Sequence, residues 1–413
     1  MTILNASVSG MQANSNWLST ISQNVANANT TGYKNQETDF STLVDQVSNV
    51  ASDGGGVTTT SRSLNALQGN IVSSQTITNL AVQGSGFFVV SDVTGAVFLT
   101  RNGTFAPDAS GNLVNTAGYY LMAADVSGGP SITPANSLNN LVKVNVVNAG
   151  QTATPTTTGA ISANLPSSAA VVAPANLPSA NSATSTSSAS TSLVVYDNLG
   201  AADTIDLYFA KTGTGTWEVD AYDSADAAPG GGFPYSSGPL TTGTLSFSNM
   251  GALTSGSPLT FTVPGGQSMS LDLSNLTQLA ANFNVSAATA NGNAPAGLTG
   301  VSIGTDGTLS FNYANGTSTV GYMIPLANVE SPNNLSNVNG NAFLPNSQSG
   351  PIYLETVGSS SSALIKSSSL ESSTVDLATE LTEMIEAQSA YQANSKVFQT
   401  GADILDVLNG LKP

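Results

Sequence analysis

Cysteine and histidine are both absent from the 413 residues of the chain. Without cysteine the chain has no disulfide and no thiol nucleophile, so its stability must come from packing or from assembly. Without histidine it has no imidazole base, and the two absences together remove the usual ligands of zinc and copper. Most hydrolase and redox mechanisms therefore lose their commonest groups, and only a mechanism based on Asp/Glu, Ser/Lys or Tyr stays open. We expect no enzymatic activity, no catalytic residues, no cofactor and no metal site.

Charge is also scarce, because only 8% of the residues are charged, against about 25% in an average soluble protein. The net charge is −17, and the eight basic residues are spread thinly along the chain. Binding to nucleic acid or to an anionic membrane surface needs a basic cluster, so neither partner is expected. With 40% hydrophobic residues, the composition indicates a β-rich protein that hydroxyl and amide side chains keep soluble.

Long apolar runs are missing as well. No stretch reaches the roughly 18 apolar residues of a membrane-spanning helix. A secretory signal peptide begins with positive charge and continues with an apolar run, whereas the first basic residue here is Lys34. The sequence therefore predicts no membrane insertion, and either a cytoplasmic protein or one exported without cleavage of its N-terminus.

Residues 1–31 predict one amphipathic helix. Five of seven heptad positions are apolar, and Trp17 and Ile21 widen the apolar stripe. Gly32 follows as the expected stop of the helix. The apolar heptad positions are Leu4, Val8, Met11, Leu18 and Val25.

Residues 374–410 predict a second, longer helix, with Ser373 and Asp376 as a capping box at its start. Apolar or aromatic residues fill seven of nine positions whose spacing alternates between four and three, which is the coiled-coil repeat. Both helices lie outside the β regions, so we expect them to pair within a subunit, between subunits, or both, and to form a polymer interface. On the second helix the expected interface residues are Leu377, Leu381, Met384, Tyr391, Phe398 and Leu405.

The region between the helices predicts short strands. Apolar runs separated by Gly and Asn fill 57–147 and return at 298–326, and residues 193–285 are β-like as well. Residues 151–192 are rich in Ser, Thr, Ala and Pro, which predicts a loop, a linker or an irregular edge segment. The expected order is helix, β region, inserted β region, β region, helix.

The dense glycines of Gly84-Ser85-Gly86 resemble the start of a phosphate-binding loop. The third glycine is missing, since Val89 takes its position, and no Lys-Ser or Lys-Thr pair follows. The sequence favours a tight turn before a buried strand.

The densest group of acidic residues is Asp220, Asp223 and Asp226, with Asp203 and Asp206 nearby. Calcium prefers such oxygen ligands, but the spacing matches no known calcium loop. The sequence therefore favours a solvated loop over a calcium site.

A second acidic group, Asp376, Glu380, Glu383 and Glu386, flanks the apolar stripe of the C-terminal helix. Residues 1–33 carry no charge but many Asn and Gln side chains, which can hydrogen-bond across a close helix contact without burying charge. The favoured interpretation of the acidic group is a solvated helix face. The alternative is a face matched to basic or polar groups of neighbouring subunits.

The segment Asn24–Lys34 closely resembles the signature that closes the first helix in bacterial flagellar rod and hook proteins. Residues 84–90 and 100–121 are similar to the strand and hairpin of that family, and Ser368–Ala393 resembles its C-terminal helix. The signature residues are Asn24, Asn27, Asn29, Gly32, Tyr33 and Lys34.

Which member of the family the chain resembles is a separate question. Residues 194–200, 217–219 and 304–310 resemble the outer domain of hook subunits. Distal rod proteins are the nearest alternative, but they generally lack an insertion as large as 151–285. From other classes, a secreted adhesin would show a signal peptide or sorting motif. A glycan-acting enzyme would pair carboxylates with aromatic platforms, which aromatic residues at 6% support poorly.

The hook resemblance implies a mixed fold with helical termini, a mainly β middle, and nested, discontinuous domains. The terminal helices would form an inner coiled-coil layer, and two β domains would form the outer layers. The expected domains are a terminal helical domain (1–32 and 370–413), an extended linker region (33–70 and 345–369), an inner β domain (71–150 and 287–344) and an outer inserted β domain (151–286).

The resemblance also implies a structural subunit that assembles with copies of itself into a hollow helical tube. Such a tube is a flexible universal joint that transmits torque from rod to filament. The implied partners are the distal rod protein, the hook cap protein, the hook–filament junction protein and the flagellar type III export apparatus. The implied location is extracellular, in the hook and basal body, after export without a cleaved signal peptide.

Overall fold

Helices lie near both ends of the chain, and strands fill the region between them. The computed structural model describes residues 2–43, 55–127, 138–358 and 363–410. Helix α1 is Thr2–Ala26 and helix α2 is Leu377–Gly410. The prediction of a mainly β chain with helical termini is confirmed. Neither described helix is both long and apolar enough to cross a bilayer.

The chain forms two compact units. The first unit comprises Met1–Ala149, Gly300–Asn312 and Ser318–Pro413, and the second comprises Gly150–Thr299 and Tyr313–Thr317. The second unit is therefore inserted into the first along the sequence.

Helix α1 is shorter than the sequence predicts. It ends at Ala26, where the N–H of Asn27 donates to the carbonyl of Gln23 at 3.1 Å, and the chain continues through turns to Gly32. The expected role of Gly32 as the stop of this helix is wrong, because it lies several residues beyond the helix end.

Asp376 is the N-cap of helix α2. Its Oδ1 accepts hydrogen bonds from the N–H of Ala378 at 2.9 Å and from the N–H of Thr379 at 3.4 Å. These are donors that the first turn of a helix leaves without an internal partner. The predicted capping box at Ser373 is therefore wrong, because the cap is Asp376 itself.

The strands of the first unit come from two stretches of sequence on either side of the second unit. The earlier strands are β1 (Gln36–Thr42), β2 (Val57–Ser63), β3 (Ile71–Ser73), β4 (Leu80–Gln83), β5 (Phe87–Ser91), β6 (Val97–Thr100), β7 (Phe105–Pro107), β8 (Leu113–Asn115), β9 (Tyr120–Asp125) and β10 (Leu141–Lys143).

The strands of the second unit follow. They are β11 (Thr152–Thr154), β12 (Thr158–Pro166), β13 (Ala189–Tyr196), β14 (Ala202–Gly213), β15 (Thr216–Asp223), β16 (Thr241–Phe247), β17 (Leu253–Ser255), β18 (Leu259–Thr262), β19 (Ser268–Asp272), β20 (Thr277–Leu279), β21 (Asn284–Ala290) and β22 (Asn293–Ala296).

The remaining strands bring the chain back to α2. They are β23 (Leu298–Ile303), β24 (Thr308–Tyr313), β25 (Ser318–Met323), β26 (Leu326–Asn328), β27 (Ser336–Val338), β28 (Ala342–Leu344), β29 (Tyr353–Glu355), β30 (Leu364–Ser367) and β31 (Ser369–Glu371).

Strand β5 lies in the middle of the largest sheet of the first unit. It pairs with β6, β9 and β26, and its residues are all buried. Gly84 and Gly86, which precede it, have φ values of +99° and +116°, so the predicted tight turn before a buried strand is confirmed. The surrounding core includes Phe87, Val89, Leu99, Ala327 and Phe343.

Two short antiparallel ribbons join the early and late segments of the first unit. Strand β3 pairs with β31, which brings Ile71 opposite Glu371, and β4 pairs with β30, which brings Leu80 opposite Ser367. The segments that follow α1 and precede α2 are therefore held side by side.

Two sheets share one core in the second unit. One sheet has the antiparallel order β13-β14-β15-β16-β17, and the other contains β18, β19, β12, β20 and β21. Trp217 and Phe209 from the first sheet and Ile161 and Leu271 from the second belong to the same buried cluster.

Strand β12 corrects the prediction of an irregular segment over 151–192. Ile161, Ala163 and Leu165 alternate into the core, and the strand pairs with β19, β20 and β21. The irregular stretch is 167–188, where short 3-10 turns at Pro174–Asn176 and Pro178–Ala180 replace strands.

Candidate assembly site: the terminal helices and their junction

Helices α1 and α2 pack side by side and run antiparallel. Gly401 faces Leu4, since a Cβ on Gly401 would lie 2.9 Å from the Leu4 Cδ2, and Gly10 faces the Asn394 amide in the same way at 3.0 Å. At the other end of α1, Asn24 Nδ2 donates to Glu380 Oε1 at 3.0 Å. Because positions rise along α1 as they fall along α2, the helices are antiparallel. Pairing within the chain, one of the expected arrangements, is thus present.

The seam of α2 that faces α1 is made of small and polar residues. Glu380, Ala387, Asn394 and Gly401 are spaced seven residues apart, and Ala387 is fully buried. This is a coiled-coil spacing, but its residues are not those of the apolar stripe. Small side chains let the two helix backbones approach closely.

Glu380 corrects the interpretation of the acidic flank as a solvated face. Its side chain is buried against Asn24, and burial raises its pKa. An amide of α1 does hydrogen-bond across the close helix contact here, but its partner is the buried Glu380 side chain, so the expectation that such bonds avoid burying an ionisable group is wrong at this position. Asp376 and Glu386 do lie at exposed positions.

Many apolar residues of α2, on and off the predicted stripe, are left uncovered by α1. The exposed fractions of Leu377, Leu381 and Ile385 are 44%, 51% and 66%, and Val397, Ile404 and Val407 are exposed as well. Among the other predicted interface residues, Met384 and Phe398 are half-buried, and Tyr391 and Leu405 are exposed. On α1, Val8 is exposed, whereas Leu4, Met11, Leu18 and Val25 are half-buried.

Ile385, Val397, Ile404 and Val407 lie off the heptad stripe that the sequence predicts. The heptad of small and polar residues through Ala387 was a signal that could have revealed them. It marks the side of α2 that meets α1, and therefore leaves the apolar residues elsewhere on the helix uncovered.

A second side of α1 is covered by the hairpin β1–β2. Asn16 Nδ2 donates to Thr59 Oγ1 at 2.9 Å, and the Thr38 hydroxyl donates to Thr20 Oγ1 at 2.9 Å. The rings of Trp17 and Phe40 meet edge to face with centroids 5.6 Å apart. Helix α1 is therefore held from two sides.

Asn24 of the signature connects α1 with β1 and α2 through one amide group. Its Nδ2 donates to the Gln36 carbonyl at 2.8 Å as well as to Glu380, and its Oδ1 accepts from the Tyr33 hydroxyl at 3.2 Å and the Gln36 N–H at 3.0 Å. All hydrogen-bonding positions of the side chain are therefore used, which requires a group that both donates and accepts.

The other signature asparagines have smaller roles in the structure. Asn27 ties the turn after α1, because its Nδ2 donates to the Gln23 carbonyl at 2.9 Å and its Oδ1 accepts from the Thr30 hydroxyl at 3.1 Å. Asn29 is exposed.

Gly32 packs against the backbone of the two residues that follow β6, and it hydrogen-bonds to β31. Its φ is +68°, and a Cβ would lie 2.7 Å from the backbone carbon of Arg101 and the backbone nitrogen of Asn102. Its N–H donates to the Glu371 carbonyl at 2.8 Å. Glycine is needed here both for the left-handed backbone and for the close approach.

We expect Gly32→Ala to destabilise the first unit by about 2–5 kcal/mol. A left-handed alanine costs about 1–2 kcal/mol, and displacing well-packed neighbours costs about 1–3 kcal/mol more. Thermal unfolding of the full chain measures the loss. Gly118→Ala is the matched control, because Gly118 has a φ of +87° but no atom within 4 Å of its Cβ position. Equal losses for the two variants would refute the steric role of Gly32.

Three buried charged side chains meet beside Gly32, and we call them the junction triad: Lys34, Arg101 and Glu371. Lys34 Nζ lies 2.6 Å from Glu371 Oε1, and Arg101 NH1 lies 3.1 Å from Glu371 Oε2. The side chains are at most 2% exposed. A single carboxylate therefore holds one cation from the segment after α1 and another from the residue that follows β6.

Backbone groups also bond to the junction triad, whereas the buried Arg101 Nε has no hydrogen-bond partner among the described residues. Glu371 Oε1 also accepts from the Gly69 N–H at 2.7 Å, Lys34 Nζ donates to the Leu67 carbonyl at 2.5 Å, and Arg101 NH2 donates to the Gly84 carbonyl at 2.9 Å. Burial lowers the pKa of both Lys34 and Arg101, and the Glu371 carboxylate opposes that shift. The triad thus connects β31, which lies shortly before α2 in the sequence, to the other strands of the first unit.

Sequence reasoning named Lys34 but no role for it, and it missed Arg101 and Glu371. The aspartates singled out elsewhere do not form a solvated loop as a group. Asp220 is fully buried in β15, whereas Asp223 caps a 3-10 turn by accepting from the Ala225 N–H at 2.8 Å. The solvated-loop interpretation is therefore wrong for Asp220.

Paired terminal helices, with an inserted β unit between them in the sequence, are the arrangement that the flagellar rod and hook class implies. Family models match the chain in four consecutive pieces. They are the flagella basal body rod protein at residues 4–34, the flagellar hook protein FlgE/F/G D1 domain at 81–163, the flagellar basal body protein FlaE D2 domain at 164–293 and the flagellar basal body rod FlgEFG protein C-terminal region at 366–411.

Full-length relatives narrow the class to one family. The flagellar hook protein FlgE of Brucella suis is 40% identical over 99% of this chain and 98% of its own length. The FlgE of Salmonella typhimurium is 31% identical over 98% of both chains. The chain belongs to the flagellar hook protein FlgE family, which confirms the resemblance and supports a hook subunit over a distal rod protein.

Among solved structures, the crystal structure of Helicobacter pylori flagellar hook protein FlgE2 is similar, with a TM-score of 0.48 and 14% identity. The match covers 73% of this chain and 100% of that chain.

Proposed function

We propose that the chain assembles with copies of itself into a hollow helical tube, which acts as a flexible universal joint and transmits torque from rod to filament. The observation that carries this proposal is the uncovered apolar side of α2. Its most exposed residues are Leu381, Ile385, Ile404 and Val407. Exposed apolar side chains that recur along one helix are typical of interaction sites.

The partner that fits this surface is a terminal helix of another copy. The α2 side of the seam uses small and polar residues, so pairing within the chain leaves the apolar residues of α2 available for pairing between chains. Burying an exposed Leu, Ile or Val contributes about 1.5–3 kcal/mol. The proposed interface consists of Leu4, Val8, Met11, Leu18, Val25, Leu377, Leu381, Met384, Tyr391, Phe398 and Leu405, to which we add Ile385, Val397, Ile404 and Val407.

In the proposed tube the terminal helices, 1–32 and 370–413, form the inner coiled-coil layer. The linker region is 33–70 with 345–369, the inner β domain is 71–150 with 287–344, and the outer domain is 151–286. The proposed partners are the distal rod protein, the hook cap protein, the hook–filament junction protein and the type III export apparatus. The proposed route is export to the cell exterior without a cleaved signal peptide.

The low charge of the chain supports the universal-joint part of the proposal. A joint that bends requires neighbouring subunits to slide past each other without a preferred register. Strong ion pairs would favour one register, and only 8% of the residues are charged. Hydroxyl and amide surfaces make weaker contacts that exchange readily with water.

Electron microscopy of the purified chain tests this function directly. We expect the full chain to form tubes that include curved as well as straight forms. A chain that lacks residues 374–413 should remain monomeric, with Trp217 fluorescence as the control that its second unit is folded. Tubes from the truncated chain would refute the role of α2, and uniformly straight, rigid tubes from the full chain would refute the joint.

A further inference from the structure

The sheet β13-β14-β15-β16-β17 of the second unit has a buried polar face opposite its core. Along β15, Trp217, Val219 and Ala221 belong to the apolar core. Because side chains alternate along a strand, Asp220 and Tyr222 lie on the other face, and both are buried there as well. Other parts of the same unit must therefore cover this polar face.

Two irregular segments, 174–186 and 228–240, lie over this face, and we call them the cover. The Tyr222 hydroxyl donates to the Pro178 carbonyl at 2.7 Å, and the Tyr222 and Tyr235 rings stack with centroids 4.3 Å apart. Asn181 joins the two segments, since its Oδ1 accepts from the Tyr235 N–H at 2.7 Å and its Nδ2 donates to the Tyr235 carbonyl at 2.9 Å.

Asp220 lies at the centre of the covered face without a cation. It is opposite Tyr208 of β14 and Thr242 of β16, and the Thr242 hydroxyl donates to its Oδ1 at 2.6 Å. Its Oδ2 is buried and accepts no hydrogen bond from the described residues. The carboxyl of Glu218 from the same strand is within interaction range, and no described basic side chain contributes to the charge balance of Asp220.

The remaining titratable groups on this face are also acidic or neutral. Tyr208 and Asp206 come from β14, Tyr222 from β15 and Tyr235 from the cover. The Tyr235 hydroxyl donates to Asp206 Oδ2 at 2.8 Å and is 2.8 Å from the Tyr208 hydroxyl. An ionised Asp220 would therefore be a buried charge with no opposite charge beside it, which is strongly unfavourable.

We propose that Asp220 is a proton-operated latch: protonated Asp220, with its proton directed at the Glu218 carboxylate, holds the cover on the sheet, and loss of that proton loosens the cover. The proton supplies a donor between the orphaned Oδ2 of Asp220 and the Glu218 carboxylate, whose Oε1 also accepts from the Ser179 N–H of the cover at 3.3 Å. This pH-dependent attachment of the cover is a property of the single folded subunit and does not depend on tube assembly.

The direction of the pH effect follows from the electrostatics. Burial and, after it, the Glu218 carboxylate raise the pKa of Asp220 to about 7, while the Thr242 hydrogen bond opposes the shift. An ordinary aspartate has a pKa of about 3.9. Between these values the closed cover holds a proton that the open form lacks, so opening becomes more favourable by up to about tenfold per pH unit. Above about pH 7 the effect levels off.

Hydrogen exchange of the full chain between pH 4 and pH 9 tests the latch. With intrinsic exchange rates divided out, protection of the Tyr235 amide should fall with rising pH and reach a plateau above about pH 7. In Asp220→Asn the fall should vanish, because the group no longer titrates. In Asp272→Asn, which changes an exposed carboxyl of the same unit, the fall should remain.

Glu218→Gln provides a second, independent variant. Removing the neighbouring carboxylate should move the plateau to lower pH, because less repulsion opposes ionisation of Asp220. Protection that is independent of pH in the wild type, or an unchanged fall in Asp220→Asn, would overturn the latch. If Asp220→Asn does not fold, an unchanged plateau in Glu218→Gln would overturn it instead.

Discussion

Replacing Leu381 and Ile385 together by glutamine should prevent tube assembly while leaving the subunit folded. Their exposed fractions are 51% and 66% in the single chain, so they contribute little to the packing of α2 on α1. Covering the exposed parts in an assembly would contribute about 2–4 kcal/mol per subunit. The critical concentration for assembly should therefore rise roughly 30- to 1,000-fold.

Sedimentation and electron microscopy across a concentration series measure this change, and far-UV circular dichroism reports on the fold. Thr382→Gln with Ser389→Gln is the matched control. Both residues are exposed on α2, and their hydroxyls bond to the Ala378 and Ile385 carbonyls of the same helix. If both double variants impair assembly equally, the apolar side of α2 is not the interface.

Glu371→Gln should destabilise the first unit by about 3–5 kcal/mol. The substitution leaves Lys34 and Arg101 buried without the carboxylate that both contact, and breaking a buried ion pair from one side costs about that much. For a unit of this size the melting temperature should fall by roughly 6–20 °C. Calorimetry of the full chain measures this fall.

Glu37→Gln is the control for this prediction, because Glu37 pairs with Arg62 at 3.1 Å on the surface. An exposed pair contributes at most about 1 kcal/mol, so little change is expected. Adding Lys34→Met to Glu371→Gln should restore part of the lost stability by removing a buried unpaired cation. If the stability losses of the two substitutions are strictly additive, Lys34 and Glu371 do not stabilise the unit through their mutual contact.

Local periodicity predicted those elements that depend on neighbouring residues. Helices α1 and α2 follow from their apolar spacing, and the buried strand β5 follows from a short apolar run after two glycines. Strand β12 was missed because its inward residues Ile161, Ala163 and Leu165 alternate with Ala, Ser and Asn in a stretch whose composition resembles a loop. Its strand character comes from pairing with residues more than a hundred positions later.

The pairing of the two terminal helices was predicted, but not the side of α2 that meets α1. An apolar stripe normally marks the side of a helix that packs, so the sequence placed the seam there. In α2 the seam within the chain is instead the line through Ala387, Asn394 and Gly401. The junction could not be predicted, because the contacts of Lys34 and Arg101 with Glu371 span most of the chain and leave no local pattern.

The junction triad also constrains the order of folding. The contact between Lys34 and Glu371 closes a loop of 337 residues, and the contact between Asn24 and Glu380 closes one of 356. Closing so long a loop carries a high entropic cost before any contact repays it, so such contacts form late. The second unit, whose strands are all contained within the loop, can fold first. A chain that is released gradually from its N-terminus can therefore not complete its first unit until nearly the whole polypeptide has emerged.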